Sequence, residues 1–382
     1  MITVKQFTDA SFSFTNSAGS GAGSWAPVSD IGASNGAYNA TSVLGDKFTH
    51  TWFGTDLYMY IGTGQNGADF TVTTDGVTRN SIQTCNSDKS IVPPMYLRVP
   101  VAIERGLTNG SHTTVIQGTN SLGGTGTSLY INTAFWVDNN KLVPGLSGGY
   151  RTLGCAGDSW TFGTGSLETN VRYTNLLQRA LFENNGVDYL LNNVGVSGSG
   201  TITTPTINLA SFFDQAVTLL TTSTATVPSI FTFMFGINDV YYNKYFEFPS
   251  QVVKNIRTTL NFISDSTAVS GTTTGNFVNV VAATPGWIAP YFKQVLSQTS
   301  GSTAGSGTNY MYGYLAYDTI LQQQLRSLFR EFPWLGIADV YKSMDRNSGL
   351  IQPNGQDTGL HPNNAGHWLI SDVFYRAINV LN

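Results

Sequence analysis

One change of hydrophobic period constrains this chain more than any other feature. Before residues 138–149 apolar side chains recur at every second position; after them, short apolar runs alternate with segments whose apolar residues recur three and four apart. A spacing of two puts side chains on one face of a strand, and a spacing of three to four puts them on one face of a helix. The sequence therefore predicts an all-β domain over residues 1–140 and an α/β domain over residues 141–382. The polar, Gly-rich stretch "DNNKLVPGLSGG" joins them.

In the first part, "KFTHTWFG", "DLYMYIG", "DFTVTTDGV", "HTTVIQG" and "SLYINTAFWV" are short runs rich in aromatic and β-branched residues, separated by Gly- and Asn-rich turns. Leu57, Met59 and Ile61 alternate with Tyr58 and Tyr60, the pattern of a half-buried strand. Closely spaced strands of this kind predict a β-sandwich. Trp25, Trp52 and Trp136 read as core, with sugar stacking as the alternative.

In the second part strand and helix alternate. "YRTLGCA", "VDYLLNNVGV", "SIFTFMFG", "NFVNVVAAT" and "LGIADVY" read as strands. Between them, "LETNVRYTNLLQRALFENN" carries Val171, Leu176, Leu177 and Leu181 on one helical face. "PSQVVKNIRTTLNFIS" carries Val252, Ile256, Leu260 and Ile263 on another, with Pro249 where a first turn tolerates it. Such alternation predicts βαβ units and a parallel sheet flanked by helices. Ligands of these sheets bind beyond the carboxyl ends of the strands, so the strand ends are where chemistry is expected.

Those ends carry a distinctive set. "GDS" at residues 157–159 puts Ser159 just past the first strand. The second strand runs into "NNVGVSGSG", where Gly195 and the glycines after it allow close backbone approach to a ligand. The third ends in "GIND", offering the Asn238 amide as a donor to an oxyanion. "DTGLHPN" places His361 before the last helix. Four such pieces in this order, over roughly residues 148–382, resemble the SGNH (GDSL) hydrolase superfamily. That resemblance implies a flavodoxin-like parallel sheet and acyl transfer without a metal or other cofactor. Ser159 would be the nucleophile and His361 the general base and acid. The Ser159 and Gly195 N–H groups with Asn238 would form the oxyanion hole.

One position departs from the family pattern. The acid expected three residues before the histidine is replaced by Thr358, and Asp357 lies one residue further back. Either an extra loop residue still brings Asp357 to the imidazole, or the site is a Ser–His dyad oriented by a backbone carbonyl. The triad is the reading adopted, because one added residue is a smaller change than the loss of a charge.

The first part resembles the jelly-roll-like β-sandwich that precedes the SGNH domain in two-domain carbohydrate esterases. The implied function is removal of O-acetyl groups from a polysaccharide. A bacterial surface glycan met by a phage tail spike or tail fibre is the expected setting, with a homo-oligomer or virion assembly as context. A glycan-binding or virion structural protein with a vestigial site, and a lipase or thioesterase, are the alternatives. Trp160 and Trp287 are candidate pocket residues, with core packing as the competing role for each.

Composition narrows the remaining classes. Charged residues make up 11% of the 382, against about a quarter in an average protein, and the formal net charge is −4. No Lys/Arg run is present, so nothing favours nucleic acid or an anionic membrane. No signal-peptide pattern opens the sequence and no apolar run is long enough to span a bilayer. Action outside a cell would then be as a virion component, and otherwise the expected location is cytoplasmic. Two cysteines, Cys85 and Cys155, one in each predicted domain, argue against a disulfide framework, and no Cys/His cluster suggests zinc. His50, His112 and His367 read as structural.

Overall fold

The computed structural model describes residues 1–18, 21, 23–31, 33–63, 67–82, 96–119, 126–202, 209–221, 227–242, 248–269, 277–286, 320–352 and 360–381. The chain divides into two compact units. The first comprises Met1–Lys141 with Ile202–Leu209, the second Leu142–Thr201 with Ala210–Asn382.

The first unit is an antiparallel sandwich. Its strands are β1 (Ile2–Gln6), β2 (Phe12–Thr15), β3 (Ala26–Ser29), β4 (Ala37–Thr41), β5 (Lys47–Gly54), β6 (Asp56–Thr63), β7 (Asp69–Thr74), β8 (Val77–Ile82), β9 (Tyr96–Glu104), β10 (Gly110–Thr119) and β11 (Leu129–Val137). One sheet has the order β3-β4-β11-β6-β9, with β1 also on β11; the other is β2-β5-β10-β7-β8. From β4 to β11 the chain crosses repeatedly from one sheet to the other, which is the jelly-roll connection. Phe48, Trp52, Phe70 and Ile116 from one sheet pack against Leu57, Met59, Ile61 and Trp136 from the other. Trp25 also lies in this core, so all three tryptophans of the unit are packing residues.

Strand β6 departs from the half-buried expectation. Leu57, Met59 and Ile61 face the core, but Tyr58 and Tyr60 are fully buried on the opposite face, where Tyr60 meets Phe135 edge-on at 4.9 Å. An amphipathic tyrosine satisfies an alternating pattern whether its face is wet or covered, so the pattern could not distinguish the two.

The second unit is a five-stranded parallel sheet of β12 (Arg151–Gly157), β13 (Tyr189–Asn193), β14 (Ile230–Met234), β15 (Asn279–Ala283) and β16 (Leu335–Ala338), in the order β13-β12-β14-β15-β16. This is the flavodoxin-like order, and its switch point lies between β12 and β14. Helices α1 (Ser159–Phe162), α2 (Tyr173–Asn185), α3 (Phe212–Thr221), α4 (Ile237–Tyr242), α5 (Phe248–Ser266), α6 (Gln322–Arg330), α7 (Val340–Met344) and α8 (Asn364–Leu381) connect or flank the strands. Val252, Ile256, Leu260 and Ile263 of α5 are all buried, as their spacing predicts. Helix α2 begins later than its apolar spacing suggests. Val171 lies in a short 3-10 turn and Arg172 is extended, with ψ 141°, before the helix starts at Tyr173.

The two histidines of the first unit are shifted in opposite directions. His50 sits among Phe12, Phe48 and Trp136, and burial pushes its pKa down to about 4. For His112, burial opposes the charged ring, but the Asp75 carboxylate at 2.6 Å and the Thr108 carbonyl at 2.8 Å outweigh it and raise the pKa. A raised folded pKa adds stability that is complete below the unfolded value, near 6.5, and is lost as pH rises through the folded value. Thermal unfolding of wild type and His112→Gln should therefore differ more at about pH 5.5 than at about pH 8.5. A difference independent of pH would show that the ring contributes packing alone.

Candidate active site

Strand β12 ends at Gly157, the chain turns at Asp158, and Ser159 opens α1. The Asp158 side chain caps this helix by accepting the Trp160 N–H at 3.0 Å. From the other end of the chain, His361 directs Nε2 to Ser159 Oγ at 2.7 Å. Both residues are buried. A serine hydroxyl donating to a neutral imidazole is the arrangement that generates a nucleophilic oxygen.

The loop after β13 is bound to this turn. The Gly157 carbonyl accepts from Val196 N at 3.0 Å, Ser199 Oγ at 3.1 Å and Gln215 Nε2 at 3.0 Å. Gln215 Oε1 in turn accepts the Gly157 N–H at 2.8 Å. Asn238, in the first turn of α4, donates from Nδ2 to the Ser199 carbonyl at 2.8 Å. One amide hydrogen is thereby used, and the second belongs to the same NH₂ group. Next to it, Asp239 accepts from Thr201 N at 2.9 Å and from Thr201 Oγ1 at 2.6 Å, and Asn255 Nδ2 reaches Thr201 Oγ1 at 3.2 Å. Residues from the ends of β12, β13 and β14 thus form one hydrogen-bonded cluster. Gln215, Thr201 and Asn255 in it carry no motif, and sequence reasoning missed them.

Gly195 and Trp160 have well-defined surroundings in this geometry. The Gly195 N–H is already donated to Asn193 Oδ1 at 2.9 Å. Its α-carbon is packed so closely that a Cβ would lie 2.8 Å from Phe162 N and 2.9 Å from Thr161 Cβ. Gly195 is thus closely packed, and its N–H is engaged by the Asn193 side chain. Trp160 is buried, with its indole edge across Gly286, where a Cβ would meet Cζ3 at 2.1 Å. It is packed in the core, and its buried Nε1 has no hydrogen-bond partner among the described residues. Asp357, Thr358, Trp287 and Cys85 lie outside the described residues. Cys155 is buried inside β12, and burial pushes its thiol up to about 12. Its role is that of a small apolar residue.

His367 is buried with a neutral ring. Burial pushes its pKa down to about 4, and proximity to His361 acts in the same direction. Its Nδ1 accepts the Tyr173 N–H at 3.3 Å, capping α2, and Nε2 donates to the Thr164 carbonyl at 3.3 Å. No group of three or more His, Cys, Asp or Glu able to hold a metal occurs among the described residues. No helix among them is long and apolar enough to cross a membrane.

Against this geometry, residues 155–369 match the model of the GDSL-like lipase/acylhydrolase family. The match spans more than half of the chain, and the chain belongs to that family. A search of the curated proteins found no match. Among solved structures, a family two carbohydrate esterase from Clostridium thermocellum in complex with cellohexaose is similar at 12% identity. That alignment covers 97% of this chain and 98% of that one, with a TM-score of 0.35. A carbohydrate acetylesterase family member from Sinorhizobium meliloti is 18% identical over 60% of this chain and 98% of its own, with a TM-score of 0.41. An M. smegmatis aryl esterase is 17% identical over 61% and 100%, with a TM-score of 0.43.

The two buried carboxylates near Ser159 have a measurable consequence. Burial pushes Asp158 up to about 7, against its bond from Trp160 N, and the nearby Asp239 charge raises it further. Burial likewise pushes Asp239 up to about 6 in spite of its Thr201 bonds. Between an ordinary carboxyl pKa and these values the folded chain holds more protons than the unfolded one, so stability falls as pH rises through that window. Asparagine caps a helix as well as aspartate does. Asp158→Asn is therefore expected to be more stable than wild type in urea at about pH 8, with the gain shrinking towards about pH 4. A gain that grew on acidification would refute the assignment.

Proposed function

We propose that this chain is a serine carboxylic-ester hydrolase that removes O-acetyl groups from a polysaccharide. The observation that carries the hydrolase reading is the 2.7 Å contact between Ser159 Oγ and His361 Nε2 at the switch point of an acylhydrolase-family sheet. In this reading His361 takes the serine proton as Oγ adds to the acetyl carbonyl. The Ser159 N–H and the Asn238 amide stabilise the oxyanion. His361 then protonates the departing sugar hydroxyl, and a water repeats the sequence to release acetate. The polysaccharide part is supported by the jelly-roll unit that accompanies the hydrolase sheet and by the charge-poor composition, and a bacterial surface glycan is the substrate class to try first.

The test is acetate release from O-acetylated glycans, run beside p-nitrophenyl esters of increasing chain length. Acetate release that disappears in Ser159→Ala supports the proposal. A preference for long acyl chains would transfer the reading to a lipase or thioesterase. No turnover of any ester, with no labelling of Ser159 by a fluorophosphonate, would leave a vestigial site.

Asn238 should act mainly in the transition state. Asn238→Ala is expected to lower kcat by ~10²–10³ with little change in KM; a change in KM alone would make it a substrate-binding residue. Asp357 remains the proposed partner of His361. Removing the carboxylate of a triad can cost up to ~10⁴ in kcat. Asp357→Ala should then be far more damaging than Thr358→Ala, whereas two mild effects would establish the dyad.

A further inference from the structure

We propose that Gln352 is a positioning residue that holds the His361 loop against the turn leaving the nucleophile helix. The inference rests on the hydrolase reading above and adds to it a residue outside the family motifs. The backbone N–H of Gln352 donates to the His361 carbonyl at 2.8 Å, and its side-chain Nε2 donates to the Gly165 carbonyl. Ile351 and Pro362 form an isolated antiparallel bridge beside it, so the two arms of the loop are paired where His361 emerges.

Gly165 is tied to Ser159 by a short path. The N–H groups of Gly163 and Thr164 donate to the Ser159 carbonyl at 3.0 and 2.9 Å, and Gly165 follows with φ +90°. A Cβ there would lie 2.3 Å from the Pro362 carbonyl oxygen and 3.1 Å from His361 Cβ. The two segments therefore touch through their backbones, and Gln352 spans the contact with one bond to each. Two further bonds seal the same seam: Leu167 N to Asn364 Oδ1 at 3.2 Å, and His367 Nε2 to the Thr164 carbonyl at 3.3 Å. Ser159 and His361 are 202 residues apart in the chain, yet Gln352 joins the segments that carry them. Misplacing such a pair by about 1 Å can cost ~10² in rate, so a residue that fixes this seam matters without touching the substrate.

The test uses the full chain with two substitutions of Gln352. Gln352→Met keeps length but has no donor, and Gln352→Lys keeps a donor. The Met variant should lose roughly ten- to hundredfold in kcat on an acetyl ester with KM within about twofold, and the Lys variant should recover part of that loss. A second readout does not need activity. The chain has four histidines, so imidazole 15N resonances at one fixed pH can be followed individually. In Gln352→Met the His361 Nε2 resonance should move, while those of His50 and His112 stay and report an intact fold. Gly165→Ala approaches the same contact from the other side and should move the same resonance. If neither variant shifts His361 and kcat in the Met variant equals wild type, the proposal is wrong. An inactive wild type whose His361 resonance still responds to Gln352→Met would overturn the hydrolase reading and leave the positioning role standing.

Discussion

The carbonyl of Gly157 is the point on which the rest of the site depends. Three donors converge on it, from the loop after β13 and from α3, and the same residue's N–H is held by Gln215. A backbone carbonyl has two lone pairs, so three bonds saturate it and fix the direction in which the strand ends. The next two residues are the helix cap and Ser159, and they inherit that direction. Ser199, one of the three donors, also presents the carbonyl that holds Asn238. Ser159 and Asn238 are thus referenced to one atom, although one follows β12 and the other β14.

This explains what could and could not be read from the residues. The parallel sheet was legible because buried apolar runs and amphipathic helices repeat with different periods, and its strand ends drew the expectation to Ser159 and Asn238. Strands β3 and β8 were not, because "APVS" and "VTRNSI" have too few apolar residues to show a period. The surroundings of Gly195 were hidden for a related reason. A run of four glycines or serines after β13 gives several equivalent candidates, and only the Asn193 side chain, two residues before Gly195, decides which N–H is engaged. Gln215 and Gln352 are likewise silent in the sequence, since their importance lies in distant backbone atoms rather than in a motif.

The buried carboxylates show the cost of this construction. Asp158 and Asp239 are each fully buried, and each is pushed towards neutrality by burial, yet both bond backbone N–H groups that form the site. A neutral residue would avoid the desolvation cost, and a site selected only for stability would not keep two acids so close. What a carboxyl group provides is two oxygens and no amide nitrogen: it cannot turn round, as an Asn or Gln side chain can, to present an N–H where an acceptor is needed. In a cluster where the orientation of each amide matters, that one-way character fixes the polarity of the network.

Hydrogen bonding separates the two histidines at the start of the last helix. His361 lies just before α8 and His367 in its first turn, and both rings are buried. His367 has each nitrogen committed, one to an N–H donor and one to a carbonyl acceptor, so its neutral tautomer satisfies both and protonation would break the cap on α2. Burial and the nearness of His361 reinforce that preference. At His361, by contrast, Nε2 faces Ser159 Oγ at 2.7 Å. Two buried rings six residues apart are thus held for different ends: one braces the start of α2 and the turn at Thr164 with both nitrogens, and the other turns a nitrogen to the serine.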